Sequence, residues 1–351
     1  MNNILSNMKK CYVVAEAGVN HNGSDELALK LVGEAANAGA DAVKFQTFTA
    51  SKLVSKDAVT AEYQQRQAGE RSQFEMLEKL QMSEELHIKL IQECERLGIE
   101  FLSTPFDIEA AEFLLKLGMK KIKIASGELT NIPLIKQLAK FDVPMILSTG
   151  MSSLEEVRDA VNAIAHTRQE LGFDEPLNDM LTVLHCTSNY PARHQDVNLK
   201  AMQTMKDELL LPVGYSDHTE GVFVSVCAVA MGAMLIEKHF TLDKNMSGPD
   251  HKASLSPGEL KQMVREIRCI EICLGDGVKV PRASELPIRE LVRRSVVLKV
   301  NKCAGEVIGL DDLILLRPGG GIPPVDMQRV VGKRVLIDCK SEAILQWSDL
   351  E

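Results

Sequence analysis

Two segments decide the fold: Leu211-Pro-Val-Gly-Tyr-Ser216-Asp217-His218 and Met234-Leu-Ile-Glu237-Lys238-His239-Phe240. Each reads as a short strand with a histidine at its C-terminal end. Between them, Gly221 to Gly232 is apolar and small enough to form a buried helix. A strand–helix–strand unit makes its two strands parallel neighbours, with both C-terminal ends on one face. The two imidazoles then converge on one spot, half of a metal site.

Working outward, six more apolar runs end in polar residues and are followed by helical patterns. They are Tyr12–Ala15 ending in Glu16, Ala42–Val43 ending in Lys44 and Gln46, and Glu100–Leu102 ending in Ser103 and Thr104. Lys121–Ile124 leads to Ser126 and Glu128, Val143–Leu147 to Ser148, and Thr182–Leu184 to His185. Eight strand–helix repeats predict a (β/α)8 TIM barrel, with the polar strand ends forming the site. The last barrel helix is expected from Pro257 to Leu274. Ser256 is its cap, Pro257 opens its first turn and Gly275-Asp-Gly277 stops it.

These patterns predict a barrel domain over 1–277, a linker over 278–290 and a small, mostly β domain over 291–351. Strands of the last are expected at Ser295–Val300, Asp312–Leu316 and Val330–Ile337. The connection between Thr47 and Met82 is long for a compact barrel and is expected to lie over the catalytic face. Within it, Ala61-Glu-Tyr-Gln-Gln-Arg and Ser72-Gln-Phe-Glu-Met-Leu read as helix-capable.

Composition narrows the function. The 351 residues carry a net charge of −9, which argues against a nucleic-acid partner. No apolar run approaches the ~20 residues of a membrane span, and no secretory segment is read at the start. The eight cysteines show no CxxC spacing, so the expectation is a reduced, cytoplasmic protein. Cys269 and Cys273 share a helix face and read as a packing pair. His185 reads as a packing residue, His21 as a cap or a substrate contact, and His87, His166 and His194 as surface or loop residues.

The ring of strand ends joins Glu16 to Lys44 and Lys123, several hydroxyls and two histidines. Paired lysines beside Ser and Thr suit a multiply charged phosphate or carboxylate. Ser126-Gly127 and Ser148-Thr149-Gly150 can bring backbone N–H groups to an anion. A Glu16–Lys44 ion pair without function is the competing reading, although burying one is costly.

Nine motifs, in order along the whole chain, resemble the sialic acid synthase family. The first five are Glu16-Ala-Gly-Val-Asn-His-Asn-Gly23, Val43-Lys-Phe-Gln-Thr47, Leu102-Ser-Thr-Pro-Phe106, Lys123-Ile-Ala-Ser-Gly-Glu128 and Leu147-Ser-Thr-Gly-Met151. His185-Cys-Thr-Ser-Asn-Tyr-Pro191, Gly214-Tyr-Ser-Asp-His218, Glu237-Lys-His-Phe-Thr241 and Ser247-Gly-Pro-Asp-His-Lys-Ala-Ser254 follow. Leu316-Arg317-Pro-Gly resembles the marker of that family's antifreeze-like (SAF) domain.

The resemblance implies condensation of phosphoenolpyruvate with an open-chain N-acetylated aminohexose. N-acetylmannosamine, giving N-acetylneuraminate, is the first expectation. The second is 2,4-diacetamido-2,4,6-trideoxymannose, giving N,N'-diacetyllegionaminate, to which the long loop with Tyr63-Gln64 is equally similar. By resemblance His218 and His239 bind Mn2+ or Mg2+, and Glu16 moves protons. Lys44, Thr104, Lys123, Ser126, Ser148 and Ser216 hold phosphoenolpyruvate. Gln46, Tyr190, Asp250 and, from a shifted position, Asn189 face the sugar. Arg317 reaches the sugar in a partner's barrel, which implies a domain-swapped homodimer.

Two other classes compete. Synthases of seven- or eight-carbon keto acids generally lack a C-terminal domain bearing such an arginine. An ice-binding protein wants a flat, Thr-rich face, and residues 291–351 contain no Thr.

Overall fold

The computed structural model describes residues 10–59 and 72–351. The chain divides into two compact units, Met1–Gly275 and Asp276–Glu351.

The first unit holds eight parallel strands, one at each expected place. They are β1 Tyr12–Gly18, β2 Ala42–Thr47, β3 Glu100–Pro105, β4 Ile122–Ile124, β5 Met145–Ser148, β6 Leu181–Cys186, β7 Val213–Asp217 and β8 Leu235–His239. Their order is β3-β2-β1-β8-β7-β6-β5-β4, and β3 and β4 lie side by side to bring the ends of the sheet together. Nearly every strand residue is buried, as in a parallel sheet covered by helices outside and packed side chains inside. The strands run as apolar cores until their last residues, where charge replaces Val, Ile and Leu on the inner face.

Sequence chemistry sets the helix ends. Ser24, Ser83, Ser153 and Ser256 each accept a backbone N–H in the first turn of the helix they precede. Ser153 and Ser256 form full capping boxes with Glu156 and Glu259. The last barrel helix runs Pro257–Leu274, the expected span. Phe223–Ala230 forms the small apolar helix between the histidine strands and packs against both β8 and the 257–274 helix.

One glycine is required inside a strand. A Cβ on Gly214 would lie 2.5 Å from the Leu235 carbonyl oxygen and 2.6 Å from Leu184 Cδ2. β7 can therefore approach both neighbours only with hydrogen at that position.

In the long connection after β2, Ala50–Leu53 and Gln73–Leu80 are helical, the latter capped by Ser72. Phe48, Met76, Leu77 and Leu80 pack with Val19 of the first βα loop in a cluster of their own. Tyr63, Gln64 and the helix-capable stretch at 61–66 lie outside the described residues.

The second unit pairs β9, Ser295–Leu298, with β10, Leu313–Leu316, in antiparallel register. Val296, Leu298, Ile308, Ile322, Val330 and Leu345 are buried in its own core. The stretch 278–290, read as linker, is exposed, contains a 3-10 turn at Ala283–Glu285 and runs into a helix at Leu286–Val292, with Pro287 in its first turn. One expectation needs correction. Val330–Ile337 is not a strand. Met327–Val330 is helical, Gly332 turns the chain at φ 87°, and only isolated bridges from Arg334 and Val335 follow. Among the described residues no helix is long and apolar enough to cross a membrane.

Candidate active site

Strand parity builds the site. Successive strand residues face opposite sides. Glu16, Lys44, Lys123, Ser216 and Glu237 therefore turn inward, and His218 and His239 follow two residues after Ser216 and Glu237. A cavity of about 410 Å³ opens among them at the C-terminal ends of the strands.

At its floor two lysines alternate with two carboxylates. Lys44 Nζ lies 2.8 Å from Glu16 Oε2, 3.7 Å from Glu237 Oε2 and donates to Thr104 Oγ1 at 2.9 Å. Lys123 Nζ donates to Ser148 Oγ at 2.7 Å and lies 3.7 Å from Glu237 Oε1. Ser216 Oγ donates to that same Glu237 oxygen at 3.2 Å, and Gln46 Nε2 donates to Glu16 Oε1 at 3.4 Å. Ser126 lines the same wall and accepts from the Gly150 backbone N–H at 3.0 Å.

Burial and charge act against each other here. Burial raises the Glu16 carboxyl to about 7, Lys44 counteracts it, and the Glu237 charge adds to the rise. Glu237 moves the other way. Burial pushes it up, but Lys123 and Lys44 together hold it below the usual carboxylate range. Burial also lowers Lys123, in part offset by Glu237. The floor therefore pairs a carboxylate whose ionised form the lysines favour with one whose protonated form burial favours.

The imidazoles of His218 and His239 have ring centroids 5.5 Å apart, and the Tyr190 ring lies 4.1 and 5.5 Å from them. His218 Nδ1 donates to the Thr187 carbonyl at 2.8 Å; burial lowers the pKa of this ring, but the neighbouring Cys186 and that carbonyl more than offset it and hold it above its ordinary value. Burial, and then His218, hold His239 well below its ordinary range, so it is neutral at pH 7. Its Nδ1 is buried without a hydrogen-bond partner and lies 3.9 Å from Asp250 Oδ2. Two converging imidazoles, one with an orphaned nitrogen, fit a divalent cation whose remaining positions are open to other ligands. Among the described residues no group of three or more His, Cys, Asp or Glu is arranged to hold a metal alone.

Asn189 is exposed, and its side chain accepts from the Tyr190 backbone N–H at 3.1 Å; Ser188 lines the cavity instead. Arg317 is exposed just beyond β10 of the second unit. His185 packs as expected, with Nε2 2.7 Å from the Val197 carbonyl. His21 is buried and accepts from the Gly23 N–H at 3.1 Å, a capping contact. His166 and His194 are exposed. His87 departs from expectation. It is buried, with ring nitrogens 2.9 Å from Thr47 Oγ1 and 2.8 Å from the Ser83 carbonyl, and ties its helix to the end of β2. Cys269 and Cys273 are exposed rather than packed, because the 257–274 helix turns that face outward near its end.

Glu237 and Cys186 were not singled out from sequence. Glu237 was legible by parity, two residues before His239. Cys186 Sγ lies 3.7 Å from His218 Nδ1, and nothing in its local sequence separates it from a core cysteine.

The NeuB family matches residues 31–279, and the SAF domain matches residues 293–351. The chain is 52% identical over 342 residues to the N,N'-diacetyllegionaminic acid synthase of Legionella pneumophila, covering 97% of this chain and 95% of that one. It is 46% identical to the Campylobacter jejuni protein of the same name, covering 97% and 100%. The crystal structure of N-acetylneuraminic acid synthetase from Leptospira borgpetersenii superposes with a TM-score of 0.69 at 33% identity, over 80% of this chain and 90% of that one. The chain is therefore an enzyme of the NeuB family, with a SAF domain over residues 293–351.

Proposed function

We propose that the protein condenses phosphoenolpyruvate with 2,4-diacetamido-2,4,6-trideoxymannose and water, giving N,N'-diacetyllegionaminate and phosphate. The observation that carries this reading is the 52% and 46% identity, along nearly whole chains, to two N,N'-diacetyllegionaminic acid synthases. The N-acetylneuraminic acid synthetase stands at 33%. The second sugar expected from sequence thus moves ahead of N-acetylmannosamine.

The chemistry follows from the floor of the cavity. Phosphoenolpyruvate brings a carboxylate and a phosphate, which Lys44, Lys123, Thr104, Ser126, Ser148 and Ser216 bind with cations and hydroxyl donors. Its C3 attacks the sugar aldehyde carbon, so the aldehyde oxygen gains an electron pair and C2 becomes electron-poor. Glu16 gives its proton to that oxygen, then takes one from the water that adds at C2. The resulting tetrahedral carbon collapses by breaking its C2–O bond to phosphate, which leaves with the C2 hydroxyl proton, and the C2 carbonyl of the keto acid forms. A carboxyl that titrates near 7 can perform both transfers, whereas an ordinary one would hold no proton to give. A divalent cation, Mn2+ or Mg2+, on His218 and His239 supplies polarisation of the aldehyde oxygen when bound.

Tyr190 and Gln46 line the same cavity, and Asp250 stands behind His239; in this reading all three orient the sugar. Arg317 of a partner's SAF domain completes the site in a domain-swapped homodimer. The free cysteines suit a cytoplasmic enzyme.

Phosphate release with phosphoenolpyruvate and Mn2+ tests the reading. The diacetamido sugar should exceed N-acetylmannosamine by at least about 100-fold in kcat/KM, because a pocket built for an N–H rejects a ligand lacking it. A preference for N-acetylmannosamine or its 6-phosphate would refute it.

A further inference from the structure

Behind each histidine of the site stands a charged residue facing the other way. Asp217 precedes His218, Lys238 precedes His239, and the two are register partners on β7 and β8. Because side chains alternate, the histidines turn into the cavity while Asp217 and Lys238 turn outward beneath the 223–230 helix. There Lys238 Nζ lies 3.0 Å from Asp217 Oδ2, and neither side chain is exposed to solvent.

The pair also carries further hydrogen bonds. Asp217 Oδ1 accepts from the Thr219 N–H at 2.9 Å and from Thr219 Oγ1 at 2.7 Å. Asp217 Oδ2 accepts from Ser225 Oγ at 2.6 Å, and Lys238 Nζ donates to the Thr219 carbonyl at 2.5 Å. These contacts fix the residues on both sides of His218, tie that turn to the strand carrying His239, and pin both to the helix behind.

We infer that the Asp217–Lys238 pair is a positioning device for divalent-cation binding, holding the two strand ends so that the His218 and His239 imidazoles keep one spacing. This rests on the cation role of those histidines under the proposed function. A buried pair with four further hydrogen bonds is more than strand packing requires, since an apolar pair would fill that space without desolvating two charges. It is what a preorganised site requires, because a cation held by only two protein donors depends on their spacing. Neither residue touches substrate, so both are positioning residues.

Mn2+ titrated calorimetrically into the full-length protein without substrate is the test. The variants are Asp217→Asn, Asp217→Asn with Lys238→Met, His239→Ala and, as a control, Leu90→Ala. Leu90 is a fully buried residue on the remote helix Glu84–Leu97. The double variant removes both charges, so neither is left unpaired if the single variant folds poorly. The Mn2+ Kd should rise about 10- to 100-fold in the Asp217 variants, the range for supporting residues of a metal site. The phosphoenolpyruvate KM should stay near wild type. Leu90→Ala should melt earlier yet keep the wild-type Kd, which separates positioning from general stability. A folded double variant with wild-type Mn2+ affinity, while His239→Ala has lost binding, would overturn the inference alone. Unchanged affinity in His239→Ala would remove the cation reading itself and the inference with it.

Discussion

Glu16 carries the heaviest chemical demand of any side chain in the cavity. Replacing it with Gln keeps its shape and removes the titrating proton. Turnover should fall by about 10²- to 10⁴-fold while calorimetry still detects phosphoenolpyruvate binding; wild-type turnover would remove the proton-transfer role. Other buried groups set the pH response of stability. Burial lowers His21 and His251 to about 4. Between pH 6.5 and 4 the unfolded histidines bind protons that the folded ones refuse, so their contribution is complete above 6.5 and is lost as the pH falls. Glu16 and Asp250, raised to about 7 and about 6, act with the opposite sign over part of that window. The difference between wild type and His251→Gln isolates the histidine. On going from pH 7 to pH 5 the urea midpoint of the variant should move upward relative to that of wild type, and an identical change in both would contradict the assignment. Most of the charged ring was legible at this scale because strand ends advertise themselves. Glu237 was not legible as a partner of two lysines because those lie on strands distant in sequence, and His87 was not because a histidine in a helical pattern gives no sign of a buried hydroxyl partner.

At the scale of elements, the eight strands and the final barrel helix follow from local pattern. Apolar runs of parallel-strand length, Ser caps and αL glycines act within a few residues, so sequence displays them directly. The second unit is harder to read because its strands are short and its pairing is mostly isolated bridges between distant residues. No periodicity announces such pairing. Gly214 offers a sharp test of the packing. Alanine there must push into the Leu235 carbonyl and Leu184, and should destabilise the barrel by about 1–3 kcal/mol. Ser256→Ala, which removes one cap oxygen, should cost about 1 kcal/mol. Denaturant midpoints check both, and a Gly214→Ala protein as stable as wild type would mean the strands are less tightly apposed than described.

For the whole molecule, the proposed domain-swapped homodimer makes a distinctive prediction. Glu16→Gln and Arg317→Ala chains, each impaired alone, should complement when co-expressed. Half the dimers would be mixed and one of their two sites intact, so activity should recover to about a quarter of wild type. No recovery from protein shown to be dimeric by sedimentation would place the Arg317 contact within its own chain or nowhere. Arg317→Ala should chiefly raise the sugar KM, with phosphoenolpyruvate binding unchanged. None of this is legible in composition or periodicity, since a residue donated between subunits leaves no trace in local pattern.

The central claim is the identity of the sugar. It is tested most directly by competition: equimolar 2,4-diacetamido-2,4,6-trideoxymannose and N-acetylmannosamine in one reaction with limiting phosphoenolpyruvate and Mn2+, the products resolved by mass spectrometry. N,N'-diacetyllegionaminate as nearly the sole product is the expected result. N-acetylneuraminate in equal or greater amount would contradict it.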